Sequence, residues 1–125
     1  MKNIHTDKAP AAVGPYSQAI MTEGLLFLSG QLGIDPATGK MVEGVAGQAE
    51  QMLKNAQAIL EEAGVGFEKV IKTTVFLTDM ADFQKVNEIY AKYFSKPFPA
   101  RSAIAVAALP VGGLVEIEMI VEIPA

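Results

Sequence analysis

The 125-residue sequence has no cysteine and no tryptophan, and it has one histidine and one arginine. Without cysteine there is no disulfide, no thiolate nucleophile and no thiolate-bound metal. One histidine cannot make a His-pair zinc site. His5 also lies near the N-terminus, where chains are commonly exposed, and this argues against a Ser-His-Asp triad. Apolar runs such as Leu25–Leu28 fall far short of the ~20 residues of a membrane-spanning helix. Met1–Thr6 lacks the apolar stretch of a secretory signal, so a cytoplasmic location and no membrane contact are expected. No basic run is present either. A net charge of -4 makes a poor generic ligand for nucleic acid, whose binding rests on neutralising phosphates. The chemistry left to the chain is that of one guanidinium, carboxylates, hydroxyls, amides and backbone groups.

Half of the residues are hydrophobic and 19% are charged, which is enough apolar material for one core and gives no sign of disorder. A single domain over residues 1–125 is expected. Leu25–Leu28, bounded by Gly24 and Gly30, reads as a buried strand, with Tyr16–Met21 as its partner. Asp35–Lys40 is dense in turn residues. Ala49, Met52, Leu53, Ala56, Ile59, Leu60 and Ala63 recur on one face of a helix over Val45–Ala63, and Gly64 suits the position just past its end. Lys69–Thr78, rich in β-branched residues, predicts a strand. Thr78 or Asp79 can cap a second helix over Ala81–Phe94, stopped by Pro97 and Pro99. Strands over Arg101–Leu109 and Leu114–Ile123 complete the pattern, with room for one more at the N-terminus. The fold class predicted is α+β: a two-layer sandwich with a mixed sheet and both helices on one face.

The four residues Pro110–Gly113 suggest a hairpin between the last two strands, with Leu109 facing Leu114 and Arg101 facing Glu122. Ser102, Ile104, Val106, Val115, Ile117, Met119 and Val121 then form the face under the helices. Arg101, Ala103, Ala105, Ala107, Glu116, Glu118, Ile120 and Glu122 form the other. Its small side chains permit close approach of another layer, so this face is expected to meet other copies of the chain and create clefts between them. A wet sheet face with incidental alanines is the other reading.

Several residues can carry chemistry. Arg101, stiffened by Pro99, offers a planar fork that suits a substrate carboxylate, and an ordinary ion pair with Glu122 or another acid remains open. Glu116 or Glu118 can orient or deprotonate a water, or can simply be solvated. Asn87, beside the apolar stripe of the second helix, needs a partner, with a neighbouring loop as one choice. Tyr16 can wall a cleft or pack. At Ser29-Gly30 the missing side chain lets a ligand approach backbone amides, or merely permits a turn.

Together, Gly14-Pro15-Tyr16-Ser17-Gln18-Ala19, Ser29-Gly30-Gln31, Val75–Met80, Val86-Asn87-Glu88-Ile89-Tyr90, Pro99-Ala100-Arg101-Ser102, Leu109-Pro110 and Val115-Glu116-Ile117-Glu118 closely resemble the Rid (RidA/YjgF) family of reactive intermediate/imine deaminases. The resemblance runs from about Ala9 to Glu122. It implies a chorismate-mutase-like α+β fold with a six-stranded sheet, assembled as a homotrimer with three sites between subunits. It implies hydrolysis of 2-aminoacrylate, 2-iminopropanoate and 2-iminobutanoate to 2-keto acids and ammonia, without a cofactor or metal. The imines would come from pyridoxal-phosphate-dependent dehydratases. By the same resemblance, Arg101 holds the substrate carboxylate and Glu116 positions the attacking water. The Ala103 backbone and Ser29-Gly30 flank the substrate, Tyr16 is contributed by the neighbouring subunit, and Asn87 shapes the site. Many relatives have Cys at the position of Ala103. Two further roles attached to such proteins are a regulatory module that binds small carboxylates and an RNA-acting translation inhibitor.

Overall fold

The structure, a computed structural model, describes residues 1–124. In chain order the strands are β1 (Lys2–Ile4), β2 (Ala19–Thr22), β3 (Leu25–Leu32), β4 (Ile34–Asp35) and β5 (Lys40–Met41). Helix α1 (Val45–Glu62), β6 (Val70–Leu77), α2 (Phe83–Tyr90), β7 (Ala100–Ala105) and β8 (Val115–Glu122) follow. Six strands make one mixed sheet in the order β1-β2-β3-β8-β6-β7, and β4 and β5 form a separate ribbon around the turn at 35–40. The two-layer α+β architecture expected from the sequence is present.

Helix α1 lays Ala49, Met52, Leu53, Ala56, Ile59 and Leu60, all fully buried, against one face of the sheet. Opposite them are Leu26, Leu28, Val75, Leu77, Ile117 and Met119. Gly64 has φ of 81°, as a helix end of this kind requires. Helix α2 is shorter than its apolar stripe predicts. The Asp79 carboxylate accepts from the Ala81 amide at 2.9 Å and holds residues Met80–Asp82 in a tighter 3-10 turn. At the other end, Lys92 and Tyr93 donate to carbonyls three residues back, which closes the helix before the prolines are reached.

The predicted hairpin between the last two strands does not form. Strand β7 pairs in parallel with β6, and β8 lies antiparallel between β3 and β6. Val115, Ile117, Met119 and Val121 are almost fully buried, and a strand with so apolar a face gains most from a central place. The alanine-rich β7 is left at the edge, and residues 106–114 cross the end of the sheet, where the Val106 amide donates to the Leu77 carbonyl at 2.7 Å.

This changes which faces are shared. Arg101, Ala103 and Ala105 lie beside Thr73, Val75 and Leu77 of β6, on the helix-covered face. Ser102 and Ile104 lie on the open face, where Lys72 Nζ donates to Ser102 Oγ at 3.0 Å. The sequence reading is therefore inverted for β7 and right for β8, whose Glu116, Glu118 and Ile120 do face outward. Phe27 and Ile104, more than 40% exposed, also sit on the open face.

Asn55 is buried in α1 and donates to the carbonyls of Leu32 and Ile34 at 3.0 and 2.9 Å, tying the end of β3 to the helix layer. An Asn55→Leu substitution should orphan both carbonyls and cost about 1–3 kcal/mol, measurable as a lower denaturant midpoint with unchanged m-value.

Candidate active site

Two grooves hold the residues singled out by the sequence. The first, of about 390 Å3, is lined by Asn87, Tyr90, Ala91, Phe98, Pro99 and Arg101. Phe83, Asn87 and Tyr90 are spaced four and three residues apart, so they share one face of α2. That face holds the exposed Arg101 side chain. Arg101 Nη1 donates to Asn87 Oδ1 at 2.7 Å, and its Cζ lies 4.7 Å from the Tyr90 ring centroid and 5.4 Å from that of Phe83. Asn87 thus has a guanidinium rather than a loop as its partner. The Tyr90 hydroxyl and Thr73 Oγ1 are 2.9 Å apart, and burial pushes the hydroxyl above its ordinary range, so it stays protonated. Among the described residues the one ion pair is His5–Asp7, so Arg101 is free of any acid. Glu122 lies across from Leu25 on the far side of β8, which removes the ion pair considered from the sequence.

The second groove, of about 750 Å3, is lined by Tyr16, Ser29, Gly30 and Glu116 together with apolar residues such as Val13 and Val111. Pairing of β3 with β8 is irregular between Leu28 and Gln31, and Ser29-Gly30 occupies that break. Ser29 Oγ donates to the Ser17 carbonyl at 2.6 Å, and the Ser29 amide donates to the Gln18 carbonyl at 2.9 Å. Buried Gln18 also clamps the rim, accepting from the Thr6 amide and donating to the Thr6 and Pro10 carbonyls. The Tyr16 hydroxyl accepts a long hydrogen bond from the Val13 amide at 3.4 Å. A Cβ at Gly30 would fall 2.5 Å from Glu116 Oε2, so the glycine admits the acid rather than merely opening its own amides. The half-buried Glu116 carboxyl is pushed above its ordinary value, first by desolvation and then by the Glu118 charge.

Tyr16, Ser29, Gly30 and Glu116 are therefore brought together, as are Arg101 and Asn87, but the two sets line separate grooves. Within one protomer Arg101 belongs to the helix-covered face and Glu116 to the open face. Ala103 sits two residues along β7 from Arg101, half-buried beside Val75. Sequence reasoning gave Phe83 and Tyr90 no part in the site and missed their hold on Arg101. The polar Asn87 between them in an apolar stripe was the available signal.

The family model described as Endoribonuclease L-PSP matches residues 6–123, and relatives named as reactive intermediate deaminases align over nearly all of the chain. The chain belongs to the Rid family. Reactive Intermediate Deaminase A, chloroplastic, of Arabidopsis thaliana is 58% identical over 118 residues, 94% of this chain and 63% of that protein. The 2-iminobutanoate/2-iminopropanoate deaminase of Bos taurus is 55% identical over 120 residues, 95% of this chain and 88% of that protein. Among solved structures, E. coli TdcF with bound serine is similar at a TM-score of 0.94 and 39% identity, over 99% of this chain and 100% of that one. The sheet order and helix layer described above are thus those of a Rid protein, and among the described residues no helix is long and apolar enough to cross a membrane.

The raised pKa of Glu116 makes a signed prediction. Its folded value lies above its unfolded one, so it favours folding at pH below about 4.5 and loses that contribution as pH rises through the folded value. A carbon-13 NMR titration should find the Glu116 carboxyl midpoint above the ordinary glutamate value. Glu118→Gln should move that midpoint down, and an unmoved midpoint would remove Glu118 as a cause.

Proposed function

We propose that this Rid protein hydrolyses 2-imino acids, such as 2-iminopropanoate and 2-iminobutanoate, to 2-keto acids and ammonia. The observation that carries the reading is an arginine without an acid, held by an amide and two aromatic rings at the lip of a groove. A guanidinium so held keeps donors for a ligand carboxylate, and two parallel charge-assisted bonds fix that ligand's plane. The names of the Arabidopsis and Bos taurus relatives support the reaction, and the serine held by E. coli TdcF supports an amino-acid-like ligand.

Neither groove alone supplies both a carboxylate clamp and an acid to handle water. We propose a homotrimer in which the Arg101–Asn87 groove of one subunit meets the Tyr16, Ser29, Gly30 and Glu116 groove of the next. The exposed Phe27 and Ile104 on the open sheet face support burial against other copies. In the assembled cleft the Ala103 backbone and the Ser29-Gly30 segment flank the substrate, and Tyr16 closes one side.

A protonated imine carbon is already electrophilic, so the reaction asks for positioning and electrostatics rather than a cofactor. Glu116 accepts a proton as water oxygen bonds to the imine carbon, giving a carbinolamine. The nitrogen takes that proton back, the carbon–nitrogen bond breaks as the hydroxyl proton passes to the Glu116 carboxylate and the carbonyl of the keto acid forms, and that last proton leaves with the nitrogen as ammonium. A carboxyl with a raised pKa suits this exchange better than an ordinary glutamate. The chain acts as one domain, in the cytoplasm, on imines released by pyridoxal-phosphate-dependent dehydratases. The outward-facing Glu116 and Glu118 repel phosphates, which disfavours an RNA substrate.

Coupling a threonine dehydratase to the protein, with semicarbazide as competitor, should accelerate 2-oxobutanoate formation. Arg101→Ala and Glu116→Gln should each lower kcat/KM about 100-fold or more. Co-expressed, the two inactive variants should regain about a quarter of wild-type activity, because mixed assemblies contain some sites with both native groups. No acceleration by folded wild-type protein sinks the reaction, and absence of complementation sinks the shared site.

A further inference from the structure

One face of α2 is built around one side chain, while Val86 goes into the core. Phe83, Asn87 and Tyr90 are the residues through which this eight-residue helix meets Arg101. Of the three, Tyr90 is the best anchored. It is 6% exposed, stacks on Phe94 with ring centroids 4.3 Å apart, and shares a 2.9 Å hydrogen bond with the fully buried Thr73. Thr73 is also the strand neighbour of Arg101 in the β6–β7 pairing. The contacts therefore close a ring, from Thr73 to the Tyr90 hydroxyl, from its aromatic face to the guanidinium, and along the Arg101 side chain back to the backbone beside Thr73.

We propose that Tyr90 is a positioning residue for carboxylate binding: its immobilised ring fixes the plane of the Arg101 guanidinium before an anion arrives. This rests on the carboxylate-clamp role of Arg101 proposed above. A free arginine loses rotamer entropy when it forms a bidentate pair, and a side chain already held over a ring has less to lose. Asn87 fixes one edge by a hydrogen bond to Nη1, and the ring fixes the tilt about that edge. Together they leave the remaining N–H groups for a ligand. Tyr90 acts here through Arg101, so its removal should weaken ground-state and transition-state binding alike and raise KM with little change in kcat.

Arg101 is the only arginine in the chain, which makes the test direct. With nitrogen-15 arginine, NMR reports a single Nε–H signal. In the wild type this signal should be displaced by ring current, with slow rotation about the Cζ–Nε bond. Tyr90→Leu should return it towards a free-arginine position, weaken pyruvate binding in calorimetry by about tenfold, and raise KM for 2-iminobutanoate by a similar factor. Tyr90→Phe keeps the ring and loses only the Thr73 bond, so it should restore the displaced signal and bind pyruvate within about threefold of wild type. Phe83→Leu, at a less buried position, provides a variant that leaves the Tyr90–Thr73 anchor in place and should produce a smaller displacement of the same signal.

An undisplaced wild-type Arg101 signal, or a Tyr90→Leu protein whose signal and pyruvate affinity match wild type, overturns the proposal. A wild-type protein that shows the displaced signal yet turns over no imine would overturn the proposed function and leave the ring's hold on Arg101 standing.

Discussion

A strand whose inward side chains are all apolar gains most when it has neighbours on both edges, and β8 finds them in β3 and β6. Much of the molecule follows from that placement. It displaces β7 to the sheet edge, in parallel with β6, and so turns Arg101 to the side where α2 can hold it. It also sets Glu116 beside the broken pairing of β3, so that the acid lies over Gly30. Burial of Val115, Ile117, Met119 and Val121 thus decides where both charged groups stand, though none of the four touches either groove.

The outcome is a protomer with its polar equipment divided. An arginine with spare donors waits at one groove and a desolvated carboxyl at another, on opposite faces of the sheet. In the proposed trimer one contact would answer both needs: it would cover the exposed apolar side chains of the open face, and it would bring the Arg101 groove of one copy to the Glu116 groove of the next. The rigid backing of each half matters here. Gln18 pins the segment that rims the Glu116 groove, and Tyr90 pins the guanidinium, so the proposed docking would join surfaces that are already shaped.

The legible features of the sequence were those with a strong period or a strong local rule. The 18-residue α1, its glycine end, the turn at 35–40 and the inward face of β8 all follow from spacing and turn chemistry. The pairing of β7 did not follow, because a short glycine-bearing loop between two strands looks alike whether it closes a hairpin or carries the chain across the sheet end. That single pairing error inverted a face and put Arg101 with Glu116 on one surface, although the site residues themselves were found. Phe83 and Tyr90 were hidden because an aromatic at helical spacing is usually core, and only the side chain on a neighbouring strand shows otherwise. The roles of Gln18, seen in the sequence only within a motif, and of Asn55 are not legible, since their partners are backbone groups elsewhere in the chain.

The contact between Gly30 and Glu116 couples the side-chain size tolerated at two positions 86 residues apart. A larger residue at 30 must push the carboxylate aside, and a shorter residue at 116 leaves a hollow above the glycine. Lineages that abandon the chemistry should therefore be recognisable by joint change at both places, while those that keep it hold the pair fixed even where the surrounding strand has diverged.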